Sequence, residues 1–211
     1  DYPEQIPAGW LPPLENISQQ AGRMRSIVED LLMISRLENE TAPDNQQPVV
    51  VHQLLQEICR EARTLSGDKN HQIQLNADPT VGLLGNHQEL YSAFSNLLFN
   101  AVRYTPANGE IQIRWYADER GAHFECTDSG IGIARQHQGR LTERFFRVDI
   151  NRSRDTGGTG LGLAIVKHVL NRHNGKLEIN SQLQRGSTFS CHFPSAQTVS
   201  LNQTTDQPEP P

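Results

Sequence analysis

The sequence lacks the features that would place it inside a membrane or on nucleic acid. No run of about 18 apolar residues occurs, no signal peptide opens the chain, and no block of like charge stands out. A nucleic-acid surface needs clustered basic side chains, whereas the net charge here is −5. We therefore expect a soluble domain without a nucleic-acid partner.

Cysteine is scarce, with three residues spread widely along the chain: Cys59, Cys126 and Cys191. Their spacing fits neither a zinc site nor a disulfide framework, so we expect reduced thiols in the cytosol. The chain begins at Asp1 rather than Met, which favours a fragment of a longer protein.

The apolar pattern divides the chain into four regions. Residues 1–13 hold four prolines and predict an irregular lead-in. Over residues 14–41 the apolar side chains recur at alternating steps of three and four, as in a helix of a bundle. Residues 48–194 mix helical and strand periodicity, and residues 195–211, rich in Gln, Thr and Pro, predict a disordered tail. The helical seam consists of Leu14, Ile17, Ala21, Met24, Val28 and Leu31, widened by Ile27, Leu32, Ile34 and Leu37.

Within the mixed region, periodicity and turn residues predict three helices and seven short strands. The predicted helices cover 52–65, 88–104 and 161–173, and the predicted strands cover 49–51, 71–77, 81–84, 110–116, 122–127, 176–181 and 187–193. The helix over 88–104 is predicted to turn five apolar residues inward: Leu90, Phe94, Leu97, Leu98 and Ala101.

Two local signals in this region suit a metal ion and a purine base. Asn96 and Asn100 lie four residues apart, so a helix would project both amides from one face, where their oxygens can hold a divalent cation. Asp128 follows a strand pattern and precedes Gly130 and Gly132. Its carboxylate can accept a hydrogen bond from an exocyclic amine such as that of adenine. Taken alone, each signal is better explained without a function, the asparagines as solvated amides and the Asp-Gly stretch as an Asp-initiated turn.

A third signal suits phosphate. A glycine-rich run from Gly157 to Gly162 opens a helix pattern, and the free amides and positive dipole end of a helix start bind anions. No Gly-Lys-Ser/Thr follows, which excludes a Walker loop. Six arginines lie between Ile133 and Thr156, and we expect this basic segment to face phosphate charge.

Taken together and in this order, the motifs resemble the N, G1, F and G2 boxes of sensor histidine kinases. The matching stretches are NLLFNA at 96–101, DSGIG at 128–132, ERFFR at 143–147 and GTGLGL at 158–163. The resemblance implies an α+β fold, the Bergerat two-layer α/β sandwich, in which about three helices cover a mixed sheet and one helix of a dimerisation hairpin precedes it. The stretches 140–149, 152–154 and 164–168 most resemble the phosphate-regulon branch of these kinases.

The resemblance also implies roles for single residues. Asn100 would be the principal Mg²⁺ ligand, with Asn96 beside it, and Asp128 would bind the adenine amine of ATP. The other nucleotide-binding residues implied are Arg103, Tyr104, Gly130, Gly132, Arg147, Gly158, Thr159, Gly160, Leu161 and Gly162. Hydrolytic relatives carry a glutamate at the position of Asn96. Because a neutral amide cannot take a proton from water, we predict slow ATP hydrolysis.

By the same resemblance, the parent protein would transfer the ATP γ-phosphoryl group to a histidine, for relay to a response regulator in phosphate-starvation signalling. The acceptor lies on a preceding helix in such kinases, and none of the eight histidines has that context. Residues 14–41 would then be the second helix of the hairpin, and this fragment would not phosphorylate itself. The parent would be a homodimer in the bacterial inner membrane, with this domain in the cytoplasm. The helix could pack on the catalytic domain or on a second copy.

Two other interpretations stay open. An anti-sigma-type serine kinase shares the ATP-binding fold, although the helix before the domain argues against it. A non-catalytic module could use that helix only for dimerisation or regulator docking, although the intact boxes argue against this.

Overall fold

A computed structural model of the chain describes residues 10–39, 46–148 and 158–201. Helices cover one face of a five-stranded mixed sheet, and a long helix precedes them, so the predicted α+β architecture is confirmed. The helices are α1 (Leu11–Asn39), α2 (Val51–Ser66), α3 (His87–Tyr104), α4 (Arg135–Gln138) and α5 (Gly162–Arg172). The strands are β1 (Gln47–Val49), β2 (Gln72–Ala77), β3 (Val81–Gly85), β4 (Glu110–Asp118), β5 (Gly121–Asp128), β6 (Lys176–Gln182), β7 (Gly186–Pro194) and β8 (Thr198–Ser200).

The main sheet has the strand order β2-β4-β5-β7-β6, in which only the pair β2 and β4 is parallel. Alternate side chains of β4, β5 and β7 point toward the helices, as the period of two requires. They form an aromatic core in which Phe94 of α3 stacks on Phe124 at a ring-centroid distance of 4.4 Å and meets Phe193 edge-on. This core fixes α3 against the strand ends that carry the candidate site.

Helix α3 presents its predicted apolar face to the sheet. Asn86 caps its start, since the side-chain oxygen accepts hydrogen bonds from the backbone N–H groups of Gln88 and Glu89, the usual role of Asn at a helix N-terminus. The five residues predicted to face inward are all buried: Leu90, Phe94, Leu97, Leu98 and Ala101. Burial of this stripe leaves Asn96 and Asn100 half-buried at its edge.

Helix α1 divides its apolar residues between two faces. Ile34 and Leu37 are buried against the mixed α/β domain, where α1 packs on α5. Beside them, Glu38 forms an ion pair with Arg144 of the segment after α4. The predicted seam is exposed in the part that the structure describes, at Leu14, Ile17, Ala21, Met24, Val28 and Leu31. The helix therefore packs on the mixed α/β domain of the same chain with one face and leaves the seam face exposed.

Two predicted boundaries are wrong. Helix α1 begins at Leu11, so residues 11–13 do not belong to an irregular lead-in, because prolines are tolerated in the first turn of a helix. The tail is ordered through Leu201: β8 pairs antiparallel with β3, with Gly82 opposite Val199. The polar composition of the whole tail concealed this short strand. Residues 1–9 and 202–211 lie outside the described residues.

The three cysteines are buried and unpaired. Burial raises the pKa of the Cys59 thiol to about 11 and raises those of Cys126 and Cys191 as well, as expected for small apolar core residues. In the three described stretches, no helix combines the length and the apolar character needed to cross a bilayer.

Candidate functional site

A cavity of about 430 Å³ opens between α3, the carboxyl end of β5, the amino end of β7 and the start of α5. This volume falls within the range typical of small-molecule sites. Every predicted site residue except Gly130 and Leu161 lines it: Asn96, Asn100, Arg103, Tyr104, Asp128, Gly132, Arg147, Gly158, Thr159, Gly160 and Gly162. Four separate motifs, spread over more than sixty positions of the chain, therefore meet around one space.

The two exceptions, Gly130 and Leu161, contact residues of the cavity wall without lining the cavity. The backbone N–H of Gly130 donates to Asp128 Oδ1 at 2.8 Å and so orients the carboxylate. Leu161 is fully buried in the core, so its side chain packs beneath the first turn of α5. Its predicted contact with the nucleotide is therefore corrected to a packing role.

Asp128 provides a buried anionic acceptor at one end of the cavity. It is only 7% exposed, and burial, the largest effect, raises the pKa of its carboxyl group. The backbone N–H groups of Gly130 and Ser187 partly offset this rise in pKa. The adjoining wall is apolar and suits a flat base; it consists of Ile131, Ile133, Leu141, Phe146, Leu163 and Phe189.

The two asparagines of α3 differ in their surroundings. Asn96 Nδ2 donates to the carbonyl oxygen of Ser92 at 2.9 Å, which turns Asn96 Oδ1 toward the start of α5. A Cβ at position 162 would lie 2.3 Å from that oxygen, so Gly162 is required by this close approach. Among the described residues, the amide of Asn100 has no hydrogen-bond partner, and Asn100 lines the cavity. A free amide oxygen there suits a hard divalent cation, so the donor set fits Mg²⁺.

The opposite end of the cavity is positively charged. A Cβ on Gly158 would lie 3.3 Å from Arg103 Nη1 and 3.9 Å from Arg147 Nη2, so two guanidinium groups approach the same glycine. Burial lowers the pKa of Arg147, and the nearby charges of Arg23 and Arg103 lower this pKa further. Gly160, with a φ of +76°, turns the chain into α5, whose N-terminal amides carry partial positive charge.

Helix α1 reaches this end of the site through Thr159. The Thr159 hydroxyl donates to Asp30 Oδ2 at 2.8 Å and accepts a hydrogen bond from the Leu161 backbone N–H at 3.2 Å. Burial raises the pKa of Asp30, and the Thr159 hydrogen bond partly offsets that rise. The docked helix therefore touches the wall of the cavity.

The predicted contribution of the basic segment is confined to one described arginine. Arg140 pairs with Glu143 at 3.0 Å and lies over the Phe146 ring, and Arg144 pairs with Glu38. These two guanidinium groups are therefore engaged outside the cavity, and the expectation that the segment as a whole faces phosphate stays a prediction. Arg152, Arg154, Gly157 and the rest of 149–157 lie outside the described residues.

Sequence reasoning missed several residues of the cavity wall. Phe146 directly precedes the predicted Arg147 and could have been found as the apolar neighbour of a charged site residue, whereas Leu141 lies six positions before Arg147. Lys69 also lines the cavity. It lies in the connection between α2 and β2, where no motif marks it.

A mixed sheet under one helical layer, with a cavity that holds a buried carboxylate and a basic helix start, is the architecture of an α+β nucleotide-binding domain. The chain belongs to the histidine kinase-, DNA gyrase B- and HSP90-like ATPase family, whose model matches residues 85–197. It is 54% identical to the phosphate regulon sensor protein PhoR of Pseudomonas aeruginosa over 199 residues, which are 94% of this chain and 45% of that protein. The predicted resemblance to the phosphate-regulon branch is thus confirmed. The chain spans about half the length of the curated relatives it matches.

Solved structures agree with the fold. The mycobacterial sensor histidine kinase MprB is 28% identical, with a TM-score of 0.62 over 71% of this chain and 97% of that chain. Full-length ShkA, solved in complex with AMPPNP, is 23% identical, with a TM-score of 0.76 over 93% of this chain and 40% of that chain. At this identity the ShkA likeness supports the fold alone.

Proposed function

We propose that the chain binds ATP together with Mg²⁺ and presents the γ-phosphoryl group for transfer to a histidine on a preceding helix of a longer sensor kinase. The observation that carries the proposal is the meeting of Asp128, Asn100 and the glycine-rich start of α5 around one cavity. One cavity would then hold a base acceptor, a cation ligand and a phosphate seat, the three groups that ATP with Mg²⁺ needs.

At the acidic end, Asp128 would accept a hydrogen bond from the exocyclic amine of adenine. A carboxylate that is mostly desolvated forms a strong charge-assisted bond, and the apolar wall would cover the faces of the base. Guanine carries a carbonyl in place of that amine, so an obligate acceptor favours adenine over guanine.

At the basic end, Asn100 would hold Mg²⁺, which supplies charge neutralisation to the phosphate oxygens when it is bound. Arg103, Arg147 and the first amides of α5 would orient the phosphate chain. Phosphoryl transfer depends mainly on positioning and charge stabilisation, which these groups supply. Asn96 offers no general base for water, which favours transfer to a side chain over hydrolysis.

The wider role follows from the similarity to PhoR and other sensor kinases. The parent protein would be a membrane-anchored homodimer that relays the phosphoryl group to a response regulator of phosphate starvation. The acceptor histidine would lie on the hairpin helix that pairs with the exposed seam of α1.

Isothermal titration with ADP and with ATP, each with and without Mg²⁺, tests the site. The unchanged chain should bind both nucleotides more tightly with Mg²⁺. Asn100→Ala should remove most of the Mg²⁺ dependence, whereas Asp128→Ala should weaken binding with and without the ion. Asn180→Ala, on the exposed face of β6, is the matched control. Absence of binding at millimolar nucleotide, or an unchanged Mg²⁺ dependence in Asn100→Ala, would contradict the proposal.

Labelled ATP tests the transfer step. A separately supplied two-helix hairpin with the acceptor histidine of a sensor histidine kinase should gain an acid-labile label when the chain is present, and the chain itself should not. An acid-stable label on serine would instead support the serine-kinase alternative.

A further inference from the structure

Lys69 makes an unusual set of contacts at the carboxyl end of α3. It ends the 3-10 turn that links α2 to β2, and its Nζ donates to the backbone carbonyl oxygens of Val102 at 3.2 Å, Arg103 at 3.0 Å and Thr105 at 3.5 Å. An ammonium group has three N–H donors. All three are therefore directed at the last turn of this one helix.

That last turn is part of the candidate nucleotide site. Arg103 and Tyr104 both line the cavity, and so does Lys69 itself. The final carbonyl groups of a helix carry a partial negative charge equivalent to about half an electron. Without a cation, this charge would lie beside the turn at Gly130 and Ile131, where the Ile131 N–H donates to the Tyr104 carbonyl oxygen at 3.3 Å. The backbone of Arg103 would also lose the contact that fixes it. Lys69 places its positive charge on those carbonyl oxygens.

A second contact holds the same turn independently of Lys69. His71 lies 3.0 Å from the Thr105 carbonyl oxygen through Nε2, and its Nδ1 lies 2.9 Å from Ser66 Oγ. Because a carbonyl oxygen can only accept, Nε2 is the donor, and Nδ1 accepts the Ser66 hydroxyl proton. This buried pair of hydrogen bonds keeps Thr105 in place when Lys69 is replaced, so loss of the ammonium charge can be separated from loss of the fold.

We propose that Lys69 is a positioning residue of the nucleotide site, which neutralises the carboxyl end of α3 and, by holding the backbone carbonyl group of Arg103, aims the Arg103 guanidinium at the phosphates. The inference rests on the nucleotide binding proposed above. Since its three donors are occupied by backbone carbonyl groups, Lys69 acts through α3 and not by direct contact with the nucleotide.

The test compares ADP with adenosine, because only ADP carries phosphate charge. Lys69→Met keeps the length of the side chain and removes the ammonium group. We expect it to weaken ADP binding about fivefold, in line with the strength of charge interactions at exposed helix ends, and to change adenosine binding less than about twofold. Lys69→Arg should restore most of the ADP affinity. Lys176→Met removes the same charge from the exposed face of β6 and should leave ADP affinity unchanged.

Three results would overturn the inference. Equal losses for ADP and adenosine in Lys69→Met would assign Lys69 a purely structural role. An unchanged ADP affinity in Lys69→Met would show that Lys69 does not act on the site. An equal loss of ADP affinity in Lys176→Met would show that the effect is one of overall charge. If the unchanged chain bound neither ligand, the proposed function itself would fail, which is a separate outcome.

Discussion

Replacing the buried carboxylate of the cavity should stabilise the ligand-free chain and weaken its nucleotide binding. Asp128 is 7% exposed, and burial raises the pKa of its carboxyl group above the ordinary value of 3.8. The folded chain therefore binds this proton more tightly than the unfolded chain does. In consequence, the ionised carboxylate costs stability near neutral pH. Asp128→Asn removes the charge while an amide oxygen can still accept the hydrogen bond from the Gly130 N–H.

The expected magnitudes concern the ligand-free chain first and its complex with ADP second. Burying a polar group without full compensation costs about 1–3 kcal/mol. Because two backbone N–H groups already compensate part of this cost, we expect a gain of about 1–2 kcal/mol in unfolding free energy. For a chain of this length that gain raises Tm by about 2–8 °C. A hydrogen bond to a charged group contributes about 1.5–3 kcal/mol, so ADP should bind about 10- to 150-fold more weakly.

Thermal unfolding without ligand, followed from pH 7 down to pH 3.5, measures the first effect, and titration with ADP measures the second. The stability gap between Asp128→Asn and the unchanged chain should shrink as the pH falls through the raised pKa of Asp128, because protonation removes the charge from both folded and unfolded chains. Asp78→Asn is the control with the opposite sign, since hydrogen bonds from Thr80 lower the pKa of Asp78. A lower Tm for Asp128→Asn, or a gap independent of pH, would refute the reasoning.

Three further changes have defined outcomes. Gly162→Ala should lower Mg²⁺-dependent nucleotide affinity at least tenfold, because its Cβ would lie 2.3 Å from Asn96 Oδ1. Gly139→Ala, whose Cβ would meet nothing, is the control, and equal titration curves for the two variants would contradict the prediction. Glu89→Ala removes the carboxylate 3.1 Å from the mostly buried Arg172 and should cost about 3–5 kcal/mol in urea unfolding; a loss under about 1 kcal/mol would count against a structural role. Ending the chain at residue 194 removes β8 from β3 and should cost about 1–3 kcal/mol; an unchanged Tm would show that the pairing adds nothing.

The local pattern of apolar residues was sufficient to predict the helices and strands that lie under the site. The apolar spacing of α3 predicted its buried face, and that face determines where Asn96 and Asn100 lie. The meeting of Asn100 with Asp128 was different, because it depends on strand order. It was predicted from the resemblance of the four boxes, because residue spacing alone does not show which strand ends lie side by side.

The parts that were missed depend on contacts between distant segments. Lys69 recognises backbone carbonyl groups, which every sequence possesses, so no residue pattern marks its partners. Strand β8 is three residues long and is defined by its pairing with β3, more than a hundred positions earlier in the chain. The interaction of Glu38 with Arg144 likewise joins two segments that are far apart in sequence, and it removes an arginine from the cavity.

The two faces of α1 have a mechanical consequence. A continuous helix of 29 residues is a rod about 43 Å long. Ile34 and Leu37 are buried against the mixed α/β domain near its carboxyl end, whereas Leu14 and Ile17 are exposed near its amino end. A twist or tilt of the amino end would therefore reach Asp30 and the hydroxyl of Thr159 through one continuous helix.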